Sequence, residues 1–195
     1  MAGPSPVRDK RYRIPVLSVD LFQEPYETPL WSSTQFILKD FRGGFKADQK
    51  FNGAFRFKGQ DLFGLFTAKA VRVDQFRQML GAEFERVSDD GIELMKIASA
   101  MPRTEEGPPL MIVSMTHNTI NWSLSGLLLE NFYWDAKPKS IVRGLIRVER
   151  QKDSATFSAS VIRANREYNT LALKFEKLPP ATFSLLEAAM KKQAA

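Results

Sequence analysis

The chain is written twice. Sliding the 195-residue sequence by 91 positions lays Trp31 through Ile97 on Trp122 through Ala188 without a gap. Trp31-Ser32 falls on Trp122-Ser123, Leu38 and Phe41 on Leu129 and Phe132, and Gly53 and Arg56 on Gly144 and Arg147. Phe66, Ala68 and Arg72 fall on Phe157, Ala159 and Arg163, Phe84-Glu85 on Phe175-Glu176, and Leu94 on Leu185. Most remaining pairs keep apolar on apolar. A long fixed period marks a duplicated structural unit, because each copy has the same faces to bury. Proline and glycine concentrate between Met101 and Pro109, as in a linker. The expectation is two domains, residues 1–101 and 102–195, the first opening with a basic arm at residues 8–13.

Each copy reads as strands followed by a helix. Phe66, Ala68 and Ala70 alternate with Thr67 and Lys69, and Phe157, Ala159 and Val161 with Ser158 and Ser160. Leu80, Ala82, Phe84 and Leu171, Leu173, Phe175 repeat the pattern. Period 2 is the mark of a half-buried strand. The period then changes: Ile92, Met95 and Ile97 follow the N-cap cluster Ser88-Asp89-Asp90, and Phe183, Leu186 and Met190 follow Pro179-Pro180. Short strands with small inward side chains suggest a small closed barrel capped by its terminal helix. Arg72 and Arg163 have the parity of the inward residues, and a cation does not sit unpaired in a barrel core. A bulge that turns them outward, or a place at the barrel mouth, would resolve this. Salt bridging is the structural reading of these arginines and contact with an anionic ligand the functional one.

Composition closes several routes. With no Cys, disulfides, thiolate metal sites and cysteine nucleophiles are excluded, and a single His, His117, excludes a multi-histidine metal site. No paired carboxylates, metal spacing or phosphate loop appear, and the glycines at 43, 44, 53, 59 and 64 form neither dinucleotide nor Walker pattern. His117 reads as a strand-end residue, so no enzyme is expected. Leu110-Met111-Ile112-Val113 is far short of a membrane helix, and Met1–Pro6 has no apolar signal core. A cytoplasmic protein without membrane insertion is the expectation. The net charge of +6 includes a dense run at Arg8-Asp9-Lys10-Arg11-Tyr12-Arg13, which suits an anionic partner.

The second copy contains Asn121-Trp122-Ser123-Leu124-Ser125-Gly126 just before the apolar run Leu127-Leu128-Leu129. It offers an amide, hydroxyls and a glycine backbone free to take φ > 0, which together can wrap a polar ligand. This motif, the barrel strands and the run Leu171–Phe175 before a helix resemble the PilZ domain, a bacterial receptor module for cyclic di-GMP. The family motif D/N-x-S-x-x-G is matched by Asn121, Ser123 and Gly126, and the resemblance covers about residues 8–100 and 108–190. It implies two small six-stranded antiparallel barrels, each followed by a C-terminal α-helix, and no catalytic residues. It also implies an R-x-x-x-R arm about 20 residues ahead of the motif. Such arginines suit the ligand, since a guanidinium forks onto guanine O6 and N7, pairs with phosphate and stacks on the base.

Both copies depart from the family. The first has an arm, Arg8, Arg11 and Arg13, with no two arginines spaced by four, and its turn carries Leu30 and Gln35 where Asp or Asn and Gly are expected; only Ser32 is kept. The second has the intact turn, but only Arg103 precedes it. Three outcomes follow: a module that has lost the nucleotide and works through protein contacts; weak binding by the second turn with Arg103 and Arg163; or complementation, the first arm reaching the second turn within one chain or a homodimer. The implied ligand-binding set is Arg8, Arg11, Arg13, Asn121, Ser123, Ser125, Gly126 and Arg163, with no metal. The implied role is a non-enzymatic cyclic di-GMP effector or adaptor in motility, attachment or polysaccharide output, docking on a motor, synthase or regulator.

A competing reading is a single-stranded nucleic-acid-binding barrel, because Phe45, Phe51, Phe55, Phe57, Phe63 and Phe66 interleave with Lys46, Lys50, Arg56 and Lys58. Against it, Phe51, Phe55, Phe57 and Phe63 become Val142, Ile146, Val148 and Ser154 in the second copy, which suits packing better than stacking. Phe132-Tyr133-Trp134 is a further candidate contact, since three consecutive aromatics on a strand cannot all face inward.

Overall fold

The computed structural model describes residues 10–41, 43–101, 108–133, 136–148 and 153–191. In chain order the elements are β1 Leu17–Thr28, β2 Gln35–Leu38, β3 Lys50–Phe57, β4 Gly64–Asp74, β5 Met79–Val87, α1 Asp89–Ala100, β6 Leu110–Trp122, β7 Gly126–Leu129, β8 Ile141–Val148, β9 Ser154–Asn165, β10 Thr170–Lys177 and α2 Pro180–Lys191. The repeat is therefore structural. β2 and β7, β3 and β8, and α1 and α2 each start and end 91 residues apart. Positive φ recurs at the same interval in Asp40 and Asn131, Asp48 and Lys139, and Gln78 and Asn169.

The fold is mainly β. Strands β1, β8, β9, β10, β7 and β6 follow one another in hydrogen-bonded order, and β6 returns to β1, closing a ring of six. Successive pairs from β8 round to β6 are antiparallel. Leu17 N donates to Thr119 Oγ1 and Thr116 Oγ1 to Asp20 Oδ1, which sets β1 antiparallel to β6 as well. Around an even ring this alternation leaves every neighbour antiparallel. The inward rows are apolar: Trp122, Leu127, Leu173 and Val161 stand opposite one another across β6, β7, β10 and β9, and all are buried. Helix α2 buries Leu185, Leu186 and Ala189 in the same unit.

The remaining strands are bonded in the order β6, β3, β4, β5, β2. Strand pairing does not close them into a second, separate barrel, a departure from two self-contained six-stranded barrels. Their core is aromatic, with Phe36, Phe45, Phe55 and Phe57 fully buried and Phe36 and Phe66 meeting edge to face at 5.9 Å. Ser88 caps α1 by accepting from Gly91 N, as the Ser88-Asp89-Asp90 cluster predicts.

Two compact units divide the chain at places other than residue 101. One comprises the described residues of Met1–Val19, Asn118–Phe132 and Ala136–Ala195, the other Asp20–His117 with Tyr133. Strand β1 thus gives Leu17–Val19 to the barrel unit and continues as Asp20–Thr28 in the other, while β6 gives its first part to the second unit and Asn118–Trp122 to the barrel. The cause is length. A strand of 12 or 13 residues spans about 40 Å at 3.3 Å per residue, more than twice an ordinary strand. No glycine or proline breaks β1 before Pro25 or β6 anywhere.

The parity conflict at Arg72 and Arg163 is resolved by bulges. Between Ala70 and Arg72 the register against β5 slips by one residue, and it slips again in β9 against β10 where Val161 gives way to Arg163. Each bulge turns its arginine out, and both are exposed.

Candidate functional site

The Asn121–Gly126 segment is a tight turn from β6 into β7. Ser123 N donates to Gly126 O at 2.9 Å, and Ser123 Oγ accepts from Ser125 N at 3.1 Å while lying 2.9 Å from Ser125 Oγ. Ser123 is buried, Ser125 is exposed, and Asn121 is half-buried. Ser123 therefore builds the turn, while Ser125 and, in part, Asn121 reach the surface. Gly126 does not take the positive φ expected of it; among the described glycines only Gly59 does. It is small for another reason: a Cβ there would lie 2.1 Å from the Leu173 carbonyl oxygen. The first copy builds the same turn with Ser32, whose N donates to Gln35 O and whose Oγ accepts from Thr34 N and Gln35 N.

The arm is positioned by this turn. Tyr12 N donates to Trp122 O at 2.8 Å and Trp122 N to Tyr12 O at 2.9 Å, a one-residue antiparallel bridge. The two rings stack at 5.0 Å with 28° between planes. The Trp122 indole N–H then reaches Pro15 O at 2.9 Å, locking the segment between Tyr12 and β1. Neighbours alternate in direction along extended backbone. Arg11 and Arg13 flank Tyr12 as Ser123 and Asn121 flank Trp122, so both arginines lie on the side opposite the ring stack, and both are exposed. Arg8 lies outside the described residues, as do Arg103 and Trp134.

Arg163 enters the same face through the sheet register. Asn121 stands opposite Leu128, Leu128 opposite Ala172, and Ala172 opposite Arg163. Antiparallel partners share a face. At about 4.8 Å per strand, Arg163 and Asn121 mark two ends of a platform roughly 14 Å long, floored by Ala172 and Leu128. Asn121 and Arg163 thus belong to one outer row of the barrel unit, while Arg11, Arg13 and Ser125 are exposed beside the Tyr12–Trp122 bridge and in the turn.

Arms and turns are exchanged between the copies. Trp31 in the first turn donates its indole N–H to Pro108 O at 3.0 Å, the counterpart of Trp122 on Pro15. The first turn is served by the segment that leads into β6, and the second by the segment that leads into β1. The segment ahead of the first copy thus lies against the second turn, where Asn121, Ser123 and Gly126 stand. The pairing of Tyr12 with Trp122 is non-local, and no local motif announces it.

The other candidates take structural places. Phe45, Phe51, Phe55, Phe57 and Phe66 are buried against one another, and only Phe63 of that set is exposed, so a surface of stacked rings is not present there. Phe132 is buried in the barrel unit, while Tyr133 packs on Phe45 at 4.9 Å in the other unit. His117 lies inside β6 and is buried. Among the described residues no group of three His, Cys, Asp or Glu gathers as for a metal ion, and no helix is long and apolar enough to cross a membrane. No family model matches the chain, and neither a curated protein nor a solved structure is significantly similar to it.

Proposed function

We propose that the chain is a non-enzymatic cyclic di-GMP effector or adaptor of the PilZ type, built from one closed PilZ-like barrel and a second PilZ-like unit that takes the other parts of β1 and β6. The nucleotide site belongs to the barrel unit, where the first arm serves the second turn. One observation carries this reading: Tyr12 pairs with Trp122, between Asn121 and Ser123, which brings Arg11 and Arg13 beside the one complete D/N-x-S-x-x-G segment. Guanidinium groups on an arm can pair with phosphates and fork onto guanine edges, while Asn121 and Ser125 offer an amide and a hydroxyl from below. The first unit, with Leu30 and Gln35 at the matching places, serves as the adaptor half that docks a protein target in the cytoplasm, such as a motor, synthase or regulator.

Calorimetric titration with cyclic di-GMP tests the reading. Arg11→Ala with Arg13→Ala, and separately Asn121→Ala with Ser125→Ala, are each expected to abolish binding, while the matching Leu30→Ala with Thr34→Ala leaves it intact. A wild-type chain that takes up no cyclic di-GMP, or an arm variant that binds at full affinity, removes the proposal.

A further inference from the structure

The two copies carry different charge at matching places on their outer faces. In the first, Lys50 pairs with Glu85 at 2.8 Å and Lys69 with Asp48 at 3.7 Å. Lys69 also stands opposite Glu83 across β4 and β5. Ninety-one residues on, Lys50 becomes Ile141, Asp48 becomes Lys139, Lys69 becomes Ser160 and Glu83 becomes Lys174, with Glu85 kept as Glu176. One face pairs its charges; on the other, two acids have become lysines, two lysines have become uncharged residues, and Glu176 alone keeps its acid. Arg163 and Lys174 are exposed and form no ion pair among the described residues.

Register places these two cations together. Lys174 stands opposite Gly126 on one side and Ser160 on the other, one row along from Asn121, Leu128, Ala172 and Arg163. Ala172 and Lys174 are two apart on β10 and share its outward face. One strand step of about 4.8 Å and two residues of about 6.8 Å put the Arg163 and Lys174 Cα atoms about 8 Å apart. Arginine and lysine side chains are long enough to reach a common anion across that separation. The surrounding residues, Gly126, Ser160 and Ala172, are small and leave the backbone surface open.

We infer that Arg163 and Lys174 form an anion subsite for one phosphate of a phosphodiester ligand, whose remainder meets the turn and the arm. Lys174 is the new member, and the Glu83-to-Lys174 reversal is what separates a binding face from a structural one. The ligand's remainder rests on the nucleotide reading above; the phosphate does not.

Two titrations separate the claims. Inorganic pyrophosphate added to 15N-labelled protein is expected to shift the Gly126, Ser160 and Ala172 amides saturably. Lys174→Glu should lose those shifts, Lys174→Arg keep them, and Arg72→Ala in the other copy leave them unchanged. With cyclic di-GMP, Lys174→Glu should weaken binding at least tenfold. If pyrophosphate shifts survive Lys174→Glu, or spread over all cationic surfaces alike, the subsite is refuted. If cyclic di-GMP binds Lys174→Glu at wild-type affinity, the subsite again fails and the nucleotide reading stands. If wild-type protein ignores cyclic di-GMP but keeps Lys174-dependent pyrophosphate shifts, the nucleotide reading fails and the subsite stands. The substitution restores the residue type that the first copy carries at this place, so the fold tolerates it.

Discussion

Tyr12 and Trp122 are joined by two backbone hydrogen bonds and by stacked rings, and the Trp122 indole N–H also holds the carbonyl of Pro15. An aromatic pair contributes about 0.5–1.5 kcal/mol beyond its buried area. Tyr12→Ala is therefore expected to destabilise the protein by about 1–2 kcal/mol in urea titration and to shift Trp122 emission to the red. Unchanged emission would mean that the arm is held by other contacts.

Because each unit draws strands from both sides of the linker, cutting the chain does not yield two domains. Fragments 1–101 and 102–195, made separately, should give poorly dispersed amide spectra, and mixing them should recover the spectrum of the intact chain. A fragment 102–195 that melts cooperatively at the temperature of the whole protein would contradict the strand exchange.

Gly126 and Gly44 form a matched test of close approach. A Cβ on Gly126 would strike the Leu173 carbonyl oxygen, whereas one on Gly44 meets nothing within 4 Å. Gly126→Ala should cost about 1–3 kcal/mol, in the range of overpacked sites, and Gly44→Ala should lie within about 0.5 kcal/mol of wild type. Equal denaturant midpoints for the two variants would show that β7 can move away from β10.

Ser88 serves two backbone donors at once, Gly91 N at 3.2 Å and Leu65 N at 3.0 Å. Ser88→Ala removes the cap of α1 and strips Leu65 N of its acceptor. About 1–2 kcal/mol of stability should be lost, whereas Ser88→Asp should retain most of it. Thermal denaturation of both variants checks the order.

Phe76 is 97% exposed at the tip between β4 and β5, and Phe36 is fully buried. Phe76→Ser should leave stability within about 0.5 kcal/mol of wild type, and Phe36→Ala should cost about 3–5 kcal/mol. A marked loss from Phe76→Ser would reveal a packing role absent from this structure.

The period of 91 made most of the local structure legible, because burial patterns repeat with the sequence. Phe66, Ala68 and Ala70 point inward as their alternation predicts, and the parity of Arg72 and Arg163 foretold an irregularity that appears as a bulge in each copy. The Ser88 cap of α1 was legible because it is set by residues within one turn. What stayed hidden was which unit receives each end of β1 and β6. Partner choice for a strand edge is set by residues a hundred positions away, and no local code writes it. The length of the run from Leu17 to Gln23 without a breaker was the available hint, and it was silent on destination. A glycine needed for close approach, as Gly126 is, and one needed for positive φ look alike in a sequence.

The divided β1 also bears on how the chain comes off the ribosome. Leu17–Val19 emerge about a hundred residues before Asn118–Phe132, the stretch they settle beside. At about 5–20 residues per second, that leaves an apolar strand end unhoused for on the order of 5–20 s. For that interval the nascent polypeptide presents an unpaired apolar edge to its surroundings, with arginines at 11 and 13 flanking it as charged residues flank other aggregation-prone strands.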